Sequence, residues 1–154
     1  MSAVLFVCSA NQCRSPMAEV LFREHLEKLG LADEWRVESA GVWAMDDAPA
    51  MALAREVMNE RGLDLNQHRS QGIHADLLRE FDLVLVMEDA HLKSLQRNYP
   101  DEADKVYLLK AMVGQDGNVD DPVYGTKETY RATVKELEGL IKHGFQRIRD
   151  LVKC

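Results

Sequence analysis

Cys8 and Arg14 bracket a short loop in VCSANQCRSP, Val7 to Pro16. A guanidinium presents a planar fork of donors matched to two oxygens of a phosphate. A thiol in the same electropositive setting titrates below the ~8.5 of a free cysteine and attacks as the thiolate. One loop can therefore hold an oxyanion and attack it. Cleaving a phosphate also requires a proton for the leaving group, a task for a positioned carboxylic acid. The segment DDPVYG offers Asp121, fixed by Pro122, with Asp120 as a solvated neighbour. A cysteine and an arginine at this spacing are weak evidence alone, and Asp-Asp-Pro-x-x-Gly is equally a plain turn before a helix.

The elements around these residues supply the missing weight. Ala3 to Val7 form an unbroken apolar run, the pattern of a strand covered on both faces, which ends at Cys8. Ala18, Leu21, Phe22, Leu26 and Leu29 then follow helical spacing, with Ser15 and Pro16 suited to the N-cap and first turn and Gly30 to a left-handed stop. A loop between a strand end and a helix start collects free N–H groups and the positive end of a helix dipole, which together attract anions. Asn11, inside the loop, tolerates a left-handed backbone.

Further along, Trp35, Val37 and Ser39 alternate with polar residues as a second strand, and Ala50 to Met58 carry a helical stripe that Gly62 ends. Phe81 to Met87 read as a buried strand, with Asp89 capping a short helix after it; Lys105 to Leu109 supply a fourth strand. The spacing of Tyr130, Val134, Leu137, Ile141, Phe145 and Ile148 predicts a long amphipathic helix. Strands alternating with helices require right-handed crossovers and a parallel sheet, whose ligands sit at the carboxyl ends of the strands.

With 154 residues the chain suits a single domain, and 26 acidic against 19 basic residues give a net charge of −7, which disfavours nucleic acid and anionic membranes as partners. No run approaches the ~20 apolar residues of a membrane span, and no secretory signal opens the chain, so a cytoplasmic address is expected. Cys8, Cys13 and Cys154 are too few for a disulfide framework and badly spaced for zinc.

VCSANQCRSP resembles the Cys-x5-Arg-Ser loop of low molecular weight protein tyrosine phosphatases, and SAG, FDLVLVM and DPVYG resemble the same family in the same order along nearly the whole chain. The resemblance implies an α/β three-layer sandwich spanning residues 1–154, with a four-stranded parallel sheet flanked by helices on both faces and the phosphate-binding loop between strand 1 and helix 1. It makes Cys8 the nucleophile of a phosphocysteine intermediate, Arg14 the phosphate clamp, Asp121 the general acid and then base, and Ser15 a hydrogen-bond donor to the thiolate. Asn11 would hold the loop's shape, His68 would support it, and Ser9, Ala10, Gln12 and Cys13 would complete the cradle. Tyr124 is expected to wall the substrate slot; Trp43 is either a wall or partial core. Cys13 is either a disulfide partner that protects Cys8 from oxidation or an apolar filler. His25, His74, His91 and His143 read as surface residues. No cofactor or metal is implied, and the partners are a phosphorylated protein or peptide and, in the loop, phosphate or a similar oxyanion.

Three positions depart from the family's pattern. Ala10 replaces a glycine, which would store roughly 1–2 kcal/mol if the loop needed a positive φ there. Gln12 replaces an aliphatic residue and adds an acceptor suited to a guanidinium, and Val123 replaces an aromatic wall. SAGVWA and LLKAMVGQDGNVDDP are similar to a bacterial branch that removes phosphate from arginine, although that branch carries threonine where Gln12 stands. The resemblance thus implies phosphotyrosine hydrolysis, with phosphoarginine as the alternative. Thiol-coupled arsenate reduction would need a mobile cysteine between Asp64 and Glu88, where there is none, and a non-catalytic anion-binding module would have lost Cys8, Arg14 or Asp121.

Overall fold

The computed structural model describes residues 1–153; Cys154, whose reach to Cys8 bears on arsenate reduction, lies outside the described residues. Among the described residues, four strands and five α-helices run in the order β1 (Ser2–Cys8), α1 (Arg14–Lys28), β2 (Trp35–Gly41), α2 (Ala52–Glu60), α3 (Ala75–Arg79), β3 (Leu83–Val86), α4 (Asp89–Asn98), β4 (Val106–Leu108) and α5 (Lys127–Lys153). The strands form one parallel sheet in the order β2-β1-β3-β4, as the alternation of strands and helices requires.

The alternation of side chains along β1 divides the core. Val4 and Phe6 pack with Met17, Phe22, Leu137 and Ile141 of α1 and α5, whereas Leu5 and Val7 pack with Leu77, Leu78 and Leu95 of α3 and α4. A strand buried on both faces must be apolar throughout, which is why Ala3–Val7 carries no polar residue. The aromatic seam Phe6–Phe22–Phe145, with centroids 5.5 and 5.7 Å apart, clamps α1 and α5 together. Among the described residues no helix is long and apolar enough to cross a membrane.

Three local expectations need correction, and one helix was not anticipated. Helix α1 begins at Arg14 with Cys13 at the N-cap position, and Ser15 sits inside the first turn with its hydroxyl turned to Cys8 rather than to the helix end. Glu88, not Asp89, is the N-cap of α4. The fourth strand stops at Leu108, because Leu109 opens a 3₁₀ turn that ends at Gly114 with φ 75°. Helix α3, five residues long, is too short to show a helical period.

The order of the strands reverses between β1 and β3, so a crevice opens at their carboxyl ends. Cys8 ends β1 on this edge and Glu88 follows β3 on the same edge.

Candidate active site

The loop from Cys8 to Arg14 is folded by its neighbours. Val42 N–H donates to Cys8 O at 3.0 Å and Trp43 N–H to Ser9 O at 2.9 Å, pulling the loop against the end of β2. Gly41 permits this approach, since a Cβ there would come within 2.7 Å of Ser9 O and 2.9 Å of Asn11 N. Asn11 holds φ at 56°, the left-handed value that its side chain tolerates, while Ala10 has no positive φ and stores no strain of that kind. The N–H groups of residues 9–15 donate to no acceptor among the described residues. Left free at a helix N-terminus, they have the arrangement that attracts anions.

Behind the loop, a buried network links Asn11, Ser15, Ser39 and Cys8. Asn11 Nδ2 donates to Ser15 Oγ at 2.8 Å and to Ser39 Oγ at 2.9 Å, and its Oδ1 accepts from Gln71 N–H at 2.9 Å. Ser15 Oγ accepts from Asn11 and lies 3.0 Å from Cys8 Sγ, with Ala40 O at 3.4 Å as the other acceptor within reach of its hydrogen; toward a thiolate at Cys8 it can act only as donor. Ser39 in turn donates to Glu19 Oε1 at 2.7 Å, and burial pushes that carboxyl above its ordinary range. His68 Nε2 lies 2.7 Å from Asn11 O, so it braces the backbone at the left-handed residue.

Arg14 is almost wholly buried, and its donors divide into two edges. Nη1 donates to Glu88 Oε2 at 2.5 Å and to Val119 O at 2.7 Å, which uses both of its hydrogens. Nη2 makes only long contacts, 3.5 Å to Ser9 Oγ and 3.4 Å to Asp121 Oδ2, and the buried Nε has no partner. The Nε and Nη2 hydrogens point from the same edge of the guanidinium, the edge that grips a phosphate with two parallel bonds. A buried donor without an acceptor is costly unless a ligand supplies one.

Asp121 is held opposite by its loop. Val119 N–H donates to Met87 O at 2.8 Å and Asn118 Oδ1 accepts from Asp89 N–H at 2.8 Å, docking the segment on the end of β3 and the start of α4. Asp121 Oδ1 accepts from Val123 N–H at 3.1 Å, which leaves Oδ2 facing Arg14.

A cleft of about 50 Å³ is lined by Cys8, Ala10, Gln12, Cys13, Arg14, Met51, Asp121 and Val123. Of the expected residues, Cys8, Arg14, Ser15 and Asp121 thus come together, with Asn11 and His68 supporting the loop. Tyr124 does not: its side chain is fully exposed and lines no part of the cleft, where Met51 and Val123 stand instead. Trp43, 63% exposed, packs its ring 5.9 Å from that of His91 and is neither cleft wall nor core. Gln12 Nε2 donates to Pro49 O at 3.0 Å, and its Oε1 has no hydrogen-bond partner among the described residues. Cys8 and Cys13 are both free thiols; burial, first of all, pushes Cys13 far above the usual thiol range, and Tyr130 beside it rises to about 12.

Sequence reasoning missed Glu19, Ser39, Gln71, Glu88 and His91. His91 is wholly buried rather than on the surface, and His25 is half-buried against Phe145, while His74 and His143 are exposed as expected. The signal for Glu88 and His91 was their place: they follow a buried central strand directly, where the fold puts ligands.

A parallel sheet with a cysteine–arginine loop at its carboxyl edge is the frame of a cysteine-dependent phosphatase. The model of the family described as low molecular weight phosphotyrosine protein phosphatase matches residues 3–153, and the chain belongs to that family. A protein-arginine-phosphatase of Bacillus subtilis is 39% identical over 147 residues, covering 95% of this chain and 96% of its own. The crystal structure of a low molecular weight protein tyrosine phosphatase from T. tengcongensis superposes with a TM-score of 0.90 at 41% identity, covering 96% of this chain and 99% of that one. A cysteine-to-serine mutant of the YwlE arginine phosphatase, solved with a phosphorylated active-site serine, superposes with a TM-score of 0.90 at 36% identity, covering 96% and 95%. The fold and these relatives make the protein a low molecular weight protein phosphatase, of the tyrosine or arginine kind.

Proposed function

We propose that the protein hydrolyses phosphorylated protein side chains through a phosphocysteine on Cys8, and that phosphoarginine is its preferred substrate. The observation that carries the mechanism is the open Nε/Nη2 edge of Arg14 next to a thiol that faces a Ser15 donor. The phosphoryl oxygens take the loop N–H groups and this edge. Cys8 thiolate attacks phosphorus, and the bond from phosphorus to the leaving nitrogen or oxygen breaks as Asp121 transfers its proton there. Water then attacks the phosphocysteine, Asp121 takes up a proton, and phosphate leaves with the thiolate restored. Ser15 stabilises the departing thiolate in this second step. The phosphorylated serine in the mutant relative supports a covalent route.

The preference for arginine reverses the first expectation, on Gln12 and the walls. Gln12 Oε1 is an unused acceptor on the cleft, matched to a guanidinium N–H and to nothing on a phenyl ring. The walls are Met51 and Val123, and the aromatic Tyr124 points elsewhere. Phosphotyrosine is the second reading, favoured by the apolar character of those two walls. Side-by-side hydrolysis of phosphoarginine and phosphotyrosine peptides separates the two. Phosphoarginine should show the higher kcat/KM, and Gln12→Leu should narrow the gap; a higher value for phosphotyrosine that Gln12→Leu leaves unchanged assigns the enzyme to tyrosine. Cys8→Ser should end turnover while still binding phosphate, and retained hydrolysis would sink the mechanism.

A further inference from the structure

We infer that His91 is a positioning residue for Arg14: its imidazole ties Ser9 in the loop to Glu88, the residue that closes the β3–α4 turn, and so keeps the Nε/Nη2 edge of the guanidinium facing the substrate. The inference rests on the reading of Arg14 as the phosphate clamp.

His91 lies in the first turn of α4, wholly buried, and takes no part in the nucleophile or acid chemistry. Its Nδ1 accepts from Glu88 N–H at 3.1 Å, so that nitrogen carries no hydrogen. The hydrogen is therefore on Nε2, which donates to Ser9 Oγ at 2.9 Å. Each of these two partners touches a different side of Arg14. Ser9 Oγ is 3.5 Å from Nη2, and the Glu88 carboxylate takes Nη1 at 2.5 Å. One ring thus spans both flanks of the guanidinium and joins two turns that are far apart in sequence.

The ring can do this only while neutral. A proton on Nδ1 would meet the Glu88 N–H head-on. It would also place a second cation beside Arg14 of α1, against only partial relief from Glu88 on its own helix and Asp121 on the acid loop. Burial first, and then Arg14, hold the His91 pKa down to about 4. The Trp43 ring packs at a tilt beside that of His91, with centroids 5.9 Å apart.

A histidine that merely caps α4 would need only Nδ1, and two substitutions separate the cases. His91→Asn keeps an acceptor near the Nδ1 position and loses the donor to Ser9, whereas His91→Gln places a donor near the Nε2 position. The readouts are thermal midpoint, kcat/KM on 4-nitrophenyl phosphate and the inhibition constant of inorganic phosphate. His91→Asn should stay folded, with phosphate inhibition weakened and kcat/KM lowered about tenfold. His91→Gln should recover part of both, Ser9→Ala should match His91→Asn, and the double variant should be no worse than either single one. Wild-type phosphate inhibition in folded His91→Asn, or losses that multiply in the double variant, would overturn the inference. If His91→Asn fails to fold, Ser9→Ala decides, since unchanged phosphate inhibition there has the same force. Arg14→Lys runs in parallel. If it leaves phosphate inhibition untouched, the clamp reading itself fails; if it weakens inhibition while Ser9→Ala and His91→Asn do not, only the role of His91 falls.

Discussion

Arg14 and Arg131 each stand between two carboxylates, Glu88 and Asp121 for the first and Glu60 and Glu128 for the second. At Arg131 the Nε and Nη2 donors both reach Glu60, at 2.9 and 2.7 Å, a bidentate grip that ties α5 to α2. That grip pulls the Glu60 carboxyl down to about 2. At Arg14 the carboxylate of Glu88 takes Nη1 instead, and the Nε edge is left open. Burial separates them further: the Arg131 side chain is 43% exposed and that of Arg14 only 1%. A fork closed by the protein's own carboxylate in solvent is a surface tie of small worth. A fork held in the interior with its bidentate edge open has a cost that only a ligand recovers. Glu60 on Arg131 displays the bidentate geometry that we propose for a phosphate on Arg14.

Experiments on these clusters can break that contrast. The largest effect is expected for Asp121→Asn, which removes a carboxylate facing Arg14 and the proton donor together: kcat on a phosphopeptide should fall by about 10²–10⁴. The loss should shrink with 4-nitrophenyl phosphate, whose leaving group needs no proton; equal losses on both substrates would deny Asp121 its acid role. Arg14→Lys keeps the charge and loses the fork, so kcat/KM should fall by about 10²–10³. A value near wild type would make the open edge irrelevant.

Glu88→Gln leaves Arg14 without its closest countercharge, and a loss of about 2 kcal/mol in urea unfolding is expected alongside weaker phosphate inhibition, discounted because Glu88 is 29% exposed. His91 sharpens the contrast through pH. Its folded pKa of about 4 lies below the ordinary 6.5, so the unfolded chain binds the proton first. Its contribution to stability is complete above pH 6.5 and is lost as pH falls toward 4. Stability differences between wild type and His91→Asn should narrow over that window; a constant difference would mean that His91 does not titrate as a buried neutral ring. The smallest effect belongs to Arg131→Ala, which should leave kcat/KM unchanged and move the thermal midpoint less than any substitution around Arg14.

Much of the frame was legible because it is written locally. β1, α1 and the loop between them are contiguous, and a period of two or 3.6 needs no partner to be seen. The apolar Phe81–Met87 run likewise placed β3, though four residues of it form the strand. Misreadings came where a side chain left its own element for a distant one. Ser15 suits a helix cap, yet the helix begins at Arg14 and the Ser15 hydroxyl lies 3.0 Å from Cys8 Sγ, the contact that the resemblance implied. Tyr124 adjoins Asp121 in sequence, yet it faces solvent while Val123 faces the cleft. His91 looked like a surface histidine on an amphipathic helix, and nothing near it in sequence reports that Ser9, 82 positions away, is its partner.

Covalent order was enough to supply the candidate reactive groups and their carrier: a thiol and a guanidinium on one strand–loop–helix, with an Asn11 between them that tolerates a left-handed backbone, and an acid before α5. These follow from covalent order, and a short loop leaves little freedom. Packing between distant segments fixed which edge of Arg14 stays open, which histidine is buried and neutral, and which residues line the cleft. Each depends on the β1–β3 pairing, which brings residues 9, 88, 91 and 119–121 to one crevice. Partial burial there turns ordinary charges into a site, because interactions between charges strengthen as the local dielectric falls.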